Sequence, residues 1–140
     1  MCLNVVKTDW LFEQESVTFY KIVKKFRLAI ISPFFSHFQW SVGENELKWD
    51  NFTNPKFISS QLARGFVSRG LHVFINEEEA KNCLKQCFEE ELDTHFVVKV
   101  TGKKENFIAY GLWGDDNKTE QAAFTKLELS KEELDRVLKG

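Results

Sequence analysis

Little in this chain punctuates or staples it. Only 2 of its 140 residues are proline and 7 are glycine, and neither a repeat nor a low-complexity tract interrupts it. That excludes a solenoid, a collagen-like chain or a linker-dominated one. Cysteine is confined to Cys2, Cys83 and Cys87. The odd count argues against a disulfide framework and fits a reducing compartment, the cytosol. No run approaches the roughly 18 consecutive apolar residues of a membrane helix. The opening MCLNVVKTDWLFEQES has no basic n-region and is broken by Lys7, Asp9 and Glu13, so no secretory signal is expected in it. A strong excess of one charge is missing as well. The formal net charge is −2, which gives no general pull toward nucleic acid or an anionic membrane.

What is present is an ordinary globular composition, 43% hydrophobic and 29% charged, with an unusual aromatic balance of 14 Phe and 4 Trp against 2 Tyr. Phe carries apolar area without a polar handle, so most of these rings belong in a core. Any surplus would form an apolar patch of the kind that marks a partner surface. The length suits one domain. Residues 1–16, mixed in character, read as an N-terminal arm or short helix, and 17–140 read as a single domain. The basic residues Lys21, Lys24, Lys25 and Arg27 cluster, and are expected on the wet face of a strand pair, where lysine discourages edge pairing.

From Val17 the pattern is strand-like. VTFYKIVKK alternates, RLAIISPFF is a continuous apolar run, and FQWSVGE places Trp40 and Val42 on one face before Gly43. PKFISSQLARG fits a short helix, with Pro55 in its first turn and Gly65 just past its end. GLHVFI is a strand. Asn76 with Glu79 then opens a helix by a loose capping box, with Glu77, Glu78 and Glu79 in the first turn where the helix dipole favours them. THFVVKVTG, NFIAYGLWG and AAFTKLELS are strands, NFIAYGLWG being apolar on both faces and so central in the sheet. Ser130 and Glu133 cap a C-terminal helix. The order implies an α+β domain with a largely antiparallel sheet.

Candidate sites are sparse. His72 shares a strand face with Phe74, and would act as an acid or base only if that face lined a pocket; a packed histidine is the simpler reading. Cys83 and Cys87 lie one helical turn apart, but both fall in the apolar stripe of their helix and no second ligand pair exists, so no metal is expected. A Cys–His nucleophilic pair needs an exposed thiol in electropositive surroundings, and three flanking glutamates argue against one here. GDDNKTE offers Asp115, Asp116 and Asn117 without the calcium-loop pattern. Arg64 and Arg69, in RGFVSRG, could hold a phosphate or carboxylate, though they match no phosphate-loop motif. The aromatic residues Phe34, Phe35, Phe38, Trp40 and Trp49 are the candidate partner-facing set.

FYKIV, SPFFSHFQWSVGE, GLHVF with its EEEA helix, FVVKV and FTKLEL together resemble a set of small bacterial and phage proteins without assigned chemistry, over residues 17 to 129. More distantly, the GLHVF strand and the helix carrying Ala80 look like the second core strand of the ADP-ribosyltransferase fold. That resemblance implies an NAD cleft, lined here by Tyr20, Lys21, His72 and Glu120. The early strand reads Phe19, Tyr20, Lys21, where those enzymes present Arg or His, and the late carboxylates are Glu120 and Glu128. The leading expectation is therefore a cytosolic, non-enzymatic binding domain without a cofactor. Its partner would be another protein or a small ligand, with no membrane. Nucleic acid, through Lys21, Lys24, Lys25, Lys103 and Lys104, is the least expected. A divergent NAD-binding transferase is the alternative.

Overall fold

The computed structural model describes residues 3–33, 38–46, 55–68, 70–113 and 118–139. In chain order its strands and helices are β1 (Leu3–Lys7), β2 (Ser16–Phe26), β3 (Ala29–Ile31), β4 (Gln39–Trp40), β5 (Gly43–Glu46), α1 (Pro55–Ala63), β6 (Phe66–Val67) and β7 (Leu71–Phe74). There follow α2 (Glu77–Cys87), β8 (His95–Lys103), β9 (Phe107–Trp113), β10 (Thr119–Phe124), β11 (Lys126–Leu129) and α3 (Lys131–Lys139). The strands join one sheet in the order β5-β11-β8-β2-β7-β10-β9-β1-β6, with β3 and β4 extending from β2. Its pairings are antiparallel. The chain is thus an α+β domain.

The sheet curls around its own core. The longest ladder runs from Ser16↔Lys103 to Lys24↔His95 between β2 and β8. Only Thr125 separates β10 from β11, yet β10 pairs with β7 and β11 with β8, which flank β2 on its two sides. AAFTKLELS is therefore not one strand but two, bent at Thr125. The phase of its apolar residues requires the bend. Ala122 and Phe124 are two apart, as are Leu127 and Leu129, but the two pairs are out of step. A straight strand would send Lys126 inward. With the bend, all four enter one core with Phe19, Val23, Leu71, Val73, Val98 and Val100. Trp10 and Phe12 cover it from outside, edge-on to Phe107 at 5.3 Å and to Phe19 at 5.4 Å respectively.

The N-terminal segment, expected as an arm or short helix, contributes β1 to the sheet, between β9 and β6. Its Leu3 is fully buried against Ile58 of α1 and Val67 of β6. Helix α1 ends as expected, with Gly65 at φ +85, a conformation in which a side chain would clash with the backbone. Helix α2 lays Ala80 and Cys83 on Ile22 and Phe74, and α3 buries Val137 in the main core.

Both expected N-caps are made. Asn76 Oδ1 accepts from the amides of Glu78 (2.8 Å) and Glu79 (3.3 Å), and Ser130 Oγ accepts from Glu133 N at 3.2 Å. The glutamates do something a capping box does not anticipate. Glu79 Oε2 accepts from the amide of Glu120 at 3.0 Å, and Glu133 Oε1 from that of Lys99 at 2.7 Å. Each helix is pinned to a sheet amide by its own third residue. Burial works to raise the Glu133 carboxyl pKa, but the Arg136 guanidinium and the Lys99 amide outweigh it and hold it below the usual range. Glu133→Gln is accordingly expected to cost about 1 kcal/mol near neutral pH. The stabilisation belongs to the ionised form. The deficit should shrink as pH falls through the carboxylate range, and denaturant melts of both proteins at pH 7 and pH 3 would reveal a constant deficit if the charge were irrelevant.

Candidate functional site

The four residues assigned to an NAD cleft meet only in part. Tyr20 and Lys21 are neighbours on β2 and so point to opposite faces of the sheet. Tyr20 lies opposite Phe74, on the face covered by α2. Lys21 lies between Phe19 and Val23, facing the main core. It is 4% exposed, not on the wet face expected for the basic cluster, and its Nζ donates to the His72 carbonyl at 2.7 Å. The reason is local: β2 and β7 share a single register pair, Tyr20↔Phe74. Past it they diverge, and the lysine reaches across to the β7 backbone. Burial pushes its pKa down to about 8. His72 is buried too, opposite Ala123 of β10. Glu120 is engaged from both ends: its amide donates to Glu79, and its carboxylate accepts from the Tyr110 phenol. Burial first, then this bond to Glu120, raises the Tyr110 pKa.

Of the aromatic set, Trp40 is a core residue. It is 2% exposed, its Nε1 donates to Ser32 Oγ at 2.8 Å, and half-buried Phe38 packs edge-on to it at 5.3 Å. The continuation of the apolar run through β3 and β4 makes it an inward position (Ile30↔Trp40) rather than a partner-facing one. Phe34, Phe35 and Trp49 lie outside the described residues, as do Arg69, Asp115, Asp116 and Asn117. Arg64 is exposed at the end of α1.

Among the described residues no three His, Cys, Asp or Glu side chains gather as metal ligands, and no helix is long and apolar enough to cross a membrane. The basic residues do not make one surface: Lys21 is inside, Lys25 Nζ donates to the Leu138 carbonyl at 2.8 Å, and Lys103 pairs with Glu128 at 2.9 Å. An open cleft of about 630 Å³ lies at the far end of the β2–β8 ladder, lined by Glu15, Ser16, Lys103, Lys104 and Glu105.

Among the described residues, three of the six exposed large apolar side chains, Phe26, Leu28 and Leu92, lie at the other end of that ladder, while Val6, Leu11 and Val42 are scattered elsewhere. Phe26 and Ala29 close the β2–β3 hairpin around a two-residue turn, Arg27–Leu28. Leu28 is 91% exposed and Phe26 52%, with the Arg27 guanidinium 5.4 Å from the Phe26 ring centre. Arg27 has φ +58, a left-handed conformation usually left to Gly, Asn or Asp in such turns. Below the tip the ladder runs on, since the Lys25 amide donates to the Thr94 carbonyl at 2.7 Å. Thr94 closes the turn that carries Leu92, itself 46% exposed, and the Thr94 amide donates to Glu91 O at 3.1 Å. Phe88, the C-cap of α2, stacks on His95 at 4.2 Å, and His95 lies opposite Lys24. The hairpin tip, the Leu92 turn and the C-terminal end of α2 therefore form one end of the molecule. The only trace of this in the sequence is a hairpin turn, FRLA, that lacks turn-forming residues.

Comparison of the chain with protein-family models, with curated proteins and with solved structures finds no match.

Proposed function

We propose that this chain is a non-enzymatic binding domain whose contact with another protein is made by the β2–β3 hairpin tip and the neighbouring Leu92. The observation that carries the reading is the apex itself, where Leu28 stands 91% exposed beside Arg27 at φ +58. A left-handed non-glycine residue costs on the order of 1 kcal/mol, and a bare leucine gains nothing from water. Glycine at position 27, where φ is positive, followed by a polar residue at 28 would serve the fold better, so the pair is explained by what it meets, not by folding. An apolar tip with an arginine at its centre suits a partner pocket with an apolar wall and an acidic rim. The Lys21 ammonium is held by the His72 carbonyl, the Glu120 carboxylate is bonded by Tyr110, and the His72 ring is buried on the opposite face of the sheet from Lys21, which supports a binding role over NAD chemistry. The free thiols Cys83 and Cys87 fit a reducing cytosol. The proposed setting, from the resemblance read in residues 17 to 129, is that of a small bacterial or phage accessory protein.

The test places a photo-crosslinking amino acid at position 28 and, as control, at exposed Ser59 on α1. In the native cytosol, position 28 should give a discrete adduct that Ser59 does not. Excess wild-type protein should suppress it at least tenfold more effectively than a Phe26→Ser, Leu28→Ser double variant, about 1.4 kcal/mol of lost contact. Identical adducts from both positions, or equal competition by the double variant, would remove the hairpin from the interface.

A further inference from the structure

Cys83 and Cys87 occupy the same side of α2, and their sulfurs are 3.7 Å apart, in contact. Cys83 is 7% exposed and packs on Ile22 and Phe74, while Cys87 is exposed, the last residue of the helix. We propose that this pair is a reversible oxidative modification site, at which a hydroperoxide converts the two thiols into an intrahelical disulfide.

The geometry sets the order of events. Burial, then the neighbouring Cys87, pushes the Cys83 thiol up to about 12, so Cys83 keeps its proton and Cys87 reacts first. The Cys87 sulfur attacks the outer peroxide oxygen; an S–O bond forms, the O–O bond breaks, and the alkoxide leaves as alcohol with the Cys87 proton. The sulfenic acid so formed already touches Cys83. The Cys83 sulfur displaces its oxygen, the S–S bond forms, and water departs with the Cys83 proton. One hydroperoxide takes up the two electrons and nothing else is consumed.

Closure must deform the helix. One turn separates the two Cα atoms by about 6 Å, inside the range a disulfide tolerates. Residues at this spacing hold their Cβ atoms about 5–6 Å apart, whereas a disulfide needs roughly 3.5–4.5 Å. The last turn of α2 has to tighten, and a strained disulfide of this kind is readily re-reduced. The next residue along is Phe88, stacked on His95 at the foot of the hairpin end. Oxidation is thus transmitted to Leu92 and the tip; this consequence rests on the binding surface proposed above, while the thiol chemistry does not.

The experiment uses the full chain with Cys2→Ser, so that only the α2 pair can react. After stoichiometric hydrogen peroxide, intact mass should fall by two hydrogens, both maleimide-reactive thiols should be lost, and dithiothreitol should restore them. Adding Cys83→Ser should stop the reaction at a dimedone-trappable sulfenic acid, and Cys87→Ser should leave the protein unmodified. Retention of two thiols, or a disulfide-linked dimer in place of the lighter monomer, would overturn the proposal. Oxidation without any change in crosslinking at position 28 would uphold the modification site and detach it from the contact surface.

Discussion

Lys21→Met is expected to make the protein more stable relative to wild type at pH 7 than at pH 10, with the difference between the two proteins changing by about 2–3 kcal/mol across that range. The wild-type ammonium is enclosed by the core, and its pKa stands at about 8 against 10.5 for the ordinary group. The sign follows from proton binding. Between these values the unfolded chain still holds the proton while the folded protein has released it, so folding stability rises with pH through this window. Below about pH 8 both states are protonated and the cost of the buried charge is borne in full. Above the ordinary lysine value both are neutral and the cost is gone. Methionine has no such dependence, and it fits the same slender space. It also leaves the His72 carbonyl without the 2.7 Å donor that Lys21 supplies, a loss of about 1–3 kcal/mol. That loss shifts the methionine curve at every pH without bending it. The change with pH, read from urea melts of both proteins, therefore isolates the charge. Parallel curves would mean that water reaches Lys21.

The same residue shows where sequence reading succeeds and where it stops. Alternation along VTFYKIVKK already sets Lys21 on the side of Val17, Phe19 and Val23, and parity alone would have buried it. Membership in a run of lysines argued the other way. What decided the matter, the divergence of β7 from β2 after a single register pair, is a tertiary fact. The bend at Thr125 was legible in the phase slip between Phe124 and Leu127, because a one-residue shift exchanges the faces of a strand. Caps are local chemistry, and Asn76, Ser130 and Gly65 could be placed from neighbours in sequence. The second partner of each glutamate could not, since Glu79 reaches Glu120 and Glu133 reaches Lys99 across long stretches of chain. Strand β1 was hidden for another reason. Of LNVVK only Leu3 is fully buried while Val6 is 55% exposed, so its apolar content carries no clean alternation. The hairpin end was illegible because nothing in the letters F, R and L says that water, not core, surrounds them.

Strand β1 also carries the strongest single-site expectation. Gly111→Ala should lower stability by about 3 kcal/mol and Tm by about 10 °C, a large effect for one methyl group. Gly111 lies on β9 opposite Val5 of β1, at a place where the β1 register shifts between Val5 and Lys7. A Cβ built at Gly111 would overlap the Asn4 carbonyl and come within 3.0 Å of Leu3 Cγ. The obstruction is backbone, which cannot turn aside as a flexible side chain does. Space for the methyl opens only if β1 withdraws from β9. The withdrawal would uncover Leu3, and with it Val67, whose strand β6 is held in the sheet through β1; both side chains are fully buried. Fully exposing two such residues costs about 3–6 kcal/mol, so partial withdrawal is the cheaper response. Hydrogen exchange locates the damage. Amides of Leu3 to Lys7 and of Val67 should lose protection while those of the β2–β8 ladder keep theirs. Loss spread evenly over every strand would show instead that the sheet yields as one unit, and an unchanged Tm would show that β1 does not approach β9 this closely.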